Sequence, residues 1–150
     1  MSKRNWIKAF APLDRQRLLQ TAAESVNWIE QYGHVDGDVE SWDVMPGKQV
    51  EKDALLLDDA SLYAGAAGIA LLYLKYYVAT AEAGIRYVIR KYRGKEDFAT
   101  EVPFLQGAYI GYLNGPAGGA YVAKELYKIT GEECYKQFAL TVADDAIEAA

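Results

Sequence analysis

Two stretches of the chain, 50 residues apart, carry the same glycine pattern. Residues 62–70 run Leu-Tyr-Ala-Gly-Ala-Ala-Gly-Ile-Ala, and residues 113–120 run Leu-Asn-Gly-Pro-Ala-Gly-Gly-Ala. They share Gly-x-Ala-Gly, at Gly65/Gly68 and at Gly115/Gly118. Carried forward without a gap, the offset superposes Ala67 on Ala117, Ala70 on Ala120, Tyr77 on Tyr127 and Thr80 on Thr130. In each copy a nearly all-apolar helix follows the glycines, and a more amphipathic helix follows that. Units of two helices, one buried and one half-exposed, bury their apolar faces only by stacking on neighbours. The repeat therefore points to an all-α chain built from helical pairs.

The helical period recurs along the chain. In 14–31 the residues Leu18, Leu19, Ala22, Val26 and Ile29 draw one stripe, with Asp14 as N-cap and Gly33 as stop. From 33 to 59 the pattern dissolves into Gly, Pro, Asp and isolated aromatics, which reads as a long surface loop without hairpin or strand alternation. Residues 62–80 are apolar nearly all round, as in a helix buried on most sides. Ile85, Val88, Ile89 and Tyr92 then make a narrower stripe opposite Arg86, Arg90 and Arg93, ended by Gly94. After an irregular stretch at 107–115, Pro116 suits the first turn of a helix continuing over 117–129. A last helix runs from about Glu132 to the end. The expected organisation is one all-α domain over 1–150, with repeats at about 60–93 and 107–150. Leu140, Val142, Ala143, Ala146, Ile147 and Ala150 keep the helical pattern without a stop signal. The chain is accordingly expected to be the N-terminal segment of a longer protein.

Composition removes several function classes. With 16 Lys+Arg against 21 Asp+Glu, a net charge of -5 argues against a nucleic-acid partner. The only histidine, His34, and the only cysteine, Cys134, cannot make a closed structural zinc site. A single cysteine also excludes an internal disulfide and fits a reducing, cytoplasmic setting. No apolar run follows Lys3, Arg4 and Lys8, as a signal peptide requires. Residues 62–74 are too short to cross a bilayer, and 102–123 hold Pro103 and Pro116, so no membrane span is expected.

Candidate sites are few. The loops bearing Tyr63, Gly65, Gly68, Asn114, Gly115 and Gly118 are substrate-binding candidates. Their glycines serve mainly a structural role, permitting close helix approach or positive φ. A phosphate loop is excluded by the missing Walker lysine. His34 lies beside Asp36 and Asp38 in what reads as a solvated connection. The acidic doublets Asp58-Asp59, Glu132-Glu133 and Asp144-Asp145 cannot each supply both an acid and a base, because helical neighbours point about 100° apart. Asp58-Asp59 reads better as charge and capping at a helix N-terminus. Arg86, Arg90, Lys91, Arg93 and Lys95 form the one dense basic cluster, either a solvated outer face or a seat for an acidic peptide. Tyr73, Tyr76, Tyr77, Tyr121 and Tyr127 read as core or groove residues.

Residues 59–74, Asp-Ala-Ser-Leu-Tyr-Ala-Gly-Ala-Ala-Gly-Ile-Ala-Leu-Leu-Tyr-Leu, resemble the Ser-Leu-Tyr-x-Gly-x-Ala-Gly-Ile-Ala signature of lanthionine synthetase C-like proteins. The second glycine motif, followed by Tyr-Lys-Ile-Thr-Gly-Glu-Glu-Cys-Tyr at 127–135, is similar to the next repeat of that family. The resemblance covers about 58–150. It implies an α/α toroid, of which this chain holds helical pairs of an incomplete ring. Cyclase members of the family use zinc to activate a cysteine thiol of a ribosomally made precursor peptide. The thiolate adds to a dehydroamino acid and closes a thioether ring.

The family's zinc ligands are two cysteines and a histidine toward the C-terminal side. No Cys-His pair exists here, and Cys134 lies where the family places no ligand. The resemblance thus implies zinc in the parent protein, no catalytic residue in this chain, and, as partners through the parent protein, the precursor peptide and biosynthetic proteins. A severed toroid is also expected to self-associate through uncovered helix faces. Two rival readings are a carbohydrate-active enzyme on a helical toroid, with two carboxylates across a cleft, and a non-catalytic helical-repeat binding module.

Overall fold

A computed structural model describes residues 14–43, 59–98 and 111–149. They fall into two compact units, one ending at Tyr32 and one beginning at Gly33. The first unit is helix α1, Arg15–Glu30, capped by Asp14, whose carboxylate accepts from the Gln16 N–H at 3.0 Å. The helix ends three residues before Gly33, with Gln31 as its C-cap. None of its residues is buried, and Leu18 and Leu19 of the apolar stripe lie exposed.

The second unit opens on two strands, β1 (Gly33–Asp36) and β2 (Val39–Trp42), paired antiparallel with Gly33 opposite Trp42 and Asp36 opposite Val39. Gly37 sits in the turn between them at φ 64°. This β-hairpin corrects the expectation of a loop over the first part of 33–59. Only Val39 and Trp42 are buried, so strands of four residues left too short an alternation to detect. The signal was the Gly-Asp pair at 37–38 directly between Asp36 and Val39, with Val35 one residue further back. The rest of that expected loop, residues 44–58 with Asp58, lies outside the described residues. So do the N-terminal basic residues, Gly107 and Ala150.

Four helices follow: α2 (Ala66–Tyr73), α3 (Val78–Lys91), α4 (Pro116–Thr130) and α5 (Glu133–Ala149), with a 3-10 turn at Gly94–Phe98. The helix expected at 62–80 is broken. It starts only at Ala66, and the Tyr76 and Tyr77 N–H groups both turn back to the Tyr73 carbonyl before α3 begins. Apolar residues on both sides of the break hid it from the periodicity. Pro116 opens α4 as expected, and Gly131 closes it in the left-handed region at φ 77°. Short links make α2/α3 and α4/α5 two helical pairs.

The two glycine motifs fold alike. Gly65 and Gly115 are both extended N-caps, at φ −127° and −108°. Their N–H groups donate to the carbonyls four residues back, Ser61 at 3.0 Å and Gly111 at 2.9 Å. A Cβ on Gly68 would collide with the Leu62 carbonyl oxygen, and one on Gly118 with the Tyr112 carbonyl oxygen. Close approach, not positive φ, is what these glycines provide. The copies also touch: the Tyr63 N–H donates to the Leu113 carbonyl at 2.9 Å, and a Cβ on Gly118 would lie 2.7 Å from the Leu62 Cβ.

Behind the motifs, Ile85 and Val88 of α3, Val122, Ala123 and Leu126 of α4, and Tyr135, Phe138 and Val142 of α5 form the core. Each large aliphatic contributes ~1.5–3 kcal/mol by burial, whereas an exposed ion pair contributes ~1 kcal/mol at most. Packing therefore outweighs the surface charge pairs. Two part-buried hydroxyls nevertheless fix the register of α3 against α5: Tyr135 donates to Glu82 at 3.0 Å and Tyr92 to Asp145 at 2.8 Å. Both pairs are 53 residues apart, so the two helices run parallel.

Gly118→Ala is expected to cost at least ~1–3 kcal/mol, because backbone rather than a flexible side chain must move; urea unfolding checks it. A second expectation concerns alkaline pH. Burial first, and the carboxylate bond second, raise the Tyr92 and Tyr135 hydroxyls above the ordinary 10.0. Their contribution is complete below pH ~10 and is lost as pH rises through the folded values. Tyr92→Phe and Tyr135→Phe should each lower neutral-pH stability by ~1 kcal/mol and flatten the alkaline fall. Unfolding midpoints measured on either side of pH ~10 would show it.

Candidate functional site

The N-terminal ends of α2 and α4 lie side by side because the glycine motifs interlock. The residues at the tips of those two loops therefore share one rim. Tyr63 is 72% exposed, Leu113 52% and Tyr112 46%. Tyr121, one turn into α4, packs edge-on to Tyr112 with ring centroids 5.3 Å apart. The Lys124 ammonium sits 4.7 Å from the Tyr121 ring centroid. Asn114 is half-buried between Leu113 and the buried Gly115. An open row of aromatic and aliphatic side chains with one cation suits contact with a chain-like, partly apolar ligand.

Beneath the rim Asp59 holds the first loop. Its carbonyl accepts the Ala66 N–H at 2.7 Å, satisfying an orphan donor at the start of α2. Its carboxylate accepts from the Tyr87 hydroxyl at 2.7 Å and the Lys91 ammonium at 2.6 Å, both on α3. Burial, helped by the Asp59 bond, raises the Tyr87 hydroxyl. For Lys91 burial works downward, but the bond and charge of Asp59 outweigh it, and its pKa is raised too. Both partners are thus held as proton donors to Asp59. The buried Ser61 completes the loop, its hydroxyl accepting the Ala64 N–H at 3.1 Å.

Of the sequence candidates, Tyr63, Asn114 and all four glycines come together at this rim. The glycines lie in its backbone, where Gly65, Gly68, Gly115 and Gly118 are structural. Asp59 does not cap a helix with its carboxylate, since Gly65 is the N-cap and the carboxylate goes to α3. Asp145 is bonded to Tyr92, and Glu133 to Lys136 and Tyr127. The basic cluster is neutralised within the fold: Arg86 and Arg90 by Asp38, Lys91 by Asp59, Arg93 by Asp97, Lys95 by Glu148. That is the solvated-face reading, and the acidic-peptide seat loses its free cations. His34 meets Asp43 at 2.9 Å on the β-hairpin, while Cys134 is exposed on α5.

Tyr112 was missed by the sequence reading. The signal was present but inverted: Leu62-Tyr63 in one copy is Tyr112-Leu113 in the other, so a strict 50-residue offset pairs tyrosine with leucine.

The family match falls on the same interlocked repeat. Residues 57–149 match the lanthionine synthetase C-like protein family. The chain belongs to that family. No curated protein and no solved structure matches it. The match opens at the Asp59 loop and takes in both helical pairs of this lanthionine synthetase C-like chain, leaving α1 and the β-hairpin outside. Among the described residues no group of three or more His, Cys, Asp or Glu is placed to hold a metal ion. Nor, among the described residues, is any helix long and apolar enough to cross a membrane.

Asp59→Ala is expected to lower stability by ~1–2 kcal/mol through loss of both ties to α3. Asp59→Asn, which keeps an acceptor for Tyr87, should lose less. Thermal unfolding of the two variants side by side checks the order.

Proposed function

We propose that these two helical pairs are part of the wall of an α/α toroid whose whole forms thioether rings in a ribosomally made precursor peptide in the cytoplasm. Family membership supports the reaction class. The observation that carries the role of this segment is the open rim of Tyr63, Tyr112, Leu113 and Tyr121 above two loops joined by the bond from the Tyr63 N–H to the Leu113 carbonyl. Peptide side chains of a dehydrated precursor are small and apolar, and they lie well against tyrosine faces.

The segment's part in the reaction is to bind and orient. The carboxylates of Asp59 and Asp145 are engaged with Tyr87, Lys91 and Tyr92, and no thiol lies at the rim among the described residues. Thiol activation, and the zinc that would serve it, are assigned to other parts of the parent protein.

The test is fluorescence anisotropy with a fluorescein-labelled, dehydrated precursor peptide carrying its free cysteines. Tyr63→Ala and Tyr112→Ala are each expected to weaken binding about 5- to 10-fold, as aromatic anchors do, with circular dichroism unchanged. Absence of binding, or binding indifferent to both substitutions, would overturn the assignment of the rim.

A further inference from the structure

The rim does not end at Tyr121. Helix α4 is buried along Gly118, Gly119, Val122, Ala123 and Leu126. Residues three and four apart share a helix face, so the opposite side runs from Tyr121 through Lys124 and Glu125 to Lys128. Tyr121, Lys124 and Lys128 are exposed and Glu125 is half-buried. The Lys124 ammonium lies against the Tyr121 ring, so the charged stretch begins where the aromatic one stops.

The two lysines differ from the cations of the outer face. Both reach the same oxygen, Oε1 of Glu125, Lys124 at 3.0 Å and Lys128 at 2.9 Å. Their ammoniums are thereby held within one carboxylate's reach of each other. Bonds from Lys128 first and Lys124 second keep the Glu125 carboxyl below its ordinary value, so it is ionised. On the outer face Lys91, Arg93 and Lys95 have a carboxylate each, and Arg86 and Arg90 meet Asp38 with Glu82 beside Arg86. The next acids along the chain lie past the stop at Gly131, and of these Glu133 is taken up by Lys136 and Tyr127. Among the described residues neither Lys124 nor Lys128 pairs with a second carboxylate. An ammonium has three donors, and only one of each is used on Glu125. A chain of net charge -5 thus keeps a local positive excess, two ammoniums against one carboxylate, directly beside the rim.

We infer that this lysine pair takes an acidic side chain of the peptide whose apolar residues lie on the rim, and so selects extended segments with a carboxylate two residues from an apolar side chain. A second carboxylate on the solvent side bridges the two ammoniums and completes their neutralisation. The spacing follows from the helix rise. The middle of the pair lies about five residues, or ~7.5 Å, along α4 from Tyr121, and side chains on one face of an extended chain recur every ~6.6 Å. The inference rests on the reading of the rim as a peptide surface, and adds a charge class to the apolar class named there.

Two fluorescein-labelled peptides compared by anisotropy test it: Ser-Leu-Ala-Glu-Ala-Leu-Ser and its counterpart with Gln for Glu. The acidic peptide is expected to bind about 5-fold tighter at low salt, with the preference shrinking as salt is added. Lys124→Gln combined with Lys128→Gln should abolish the preference. Glu125→Gln should widen it, because both ammoniums are then uncompensated, and partial unfolding cannot imitate that gain. Equal affinities that still fall with Tyr112→Ala, a preference that survives the paired lysine substitution, or no widening in Glu125→Gln would each overturn the inference and leave the rim standing. Binding of neither peptide, where the dehydrated precursor still binds, would overturn it as well. Failure of the precursor too would strike the rim itself.

Discussion

One backbone contact organises the second unit: the Tyr63 N–H bonded to the Leu113 carbonyl, with Gly118 pressed against the loop of the other copy. Backbone groups cannot meet at that range if a Cβ intervenes. The glycines are therefore conditions of the contact and not merely flexible points. Once the loops interlock, α2 and α4 must start side by side, their partners α3 and α5 must follow on the outside, and the apolar faces between them close into one core. The tyrosine–carboxylate bonds at 53-residue separation then set how far one outer helix can slide along the other.

The same contact explains where the exposed aromatic residues lie. Loop tips that bond through their backbones turn their side chains outward, which leaves Tyr63 and Leu113 at equivalent and open positions. The rim is thus a by-product of the interlock, made rigid by it and by Asp59 beneath. A binding surface on such a support loses little freedom when a ligand arrives. That is the physical ground for placing peptide contact there and not on the basic outer face, whose cations are already engaged.

What the sequence disclosed follows from how far apart the interacting residues are. The helical pairs were legible because Gly65/Gly68 and Gly115/Gly118 recur at one offset, and because Asp14 and Pro116 mark helix starts locally. The break between α2 and α3 was not, since Leu71, Leu72 and Leu74 on one side and Val78 and Ala79 on the other leave Lys75 as the only charged residue between them. The β-hairpin escaped because its stability comes from Trp42 seated against Gly84, a contact across 42 positions. Asp59 looked like a capping residue for the same reason, its true partners Tyr87 and Lys91 being a helix away. The inverted Leu-Tyr and Tyr-Leu order concealed Tyr112 beside the candidate loops.

Amide hydrogen exchange followed residue by residue tests the interlock most directly. If it is the contact on which the unit depends, the amides of Tyr63, Gly65, Gly68, Gly115 and Gly118 open only with the core amides of Ile85 and Leu126, at the free energy of global unfolding. Gly118→Ala would then lower protection in both helical pairs together. Loop amides that exchange by local opening, well ahead of an intact core, would contradict the account.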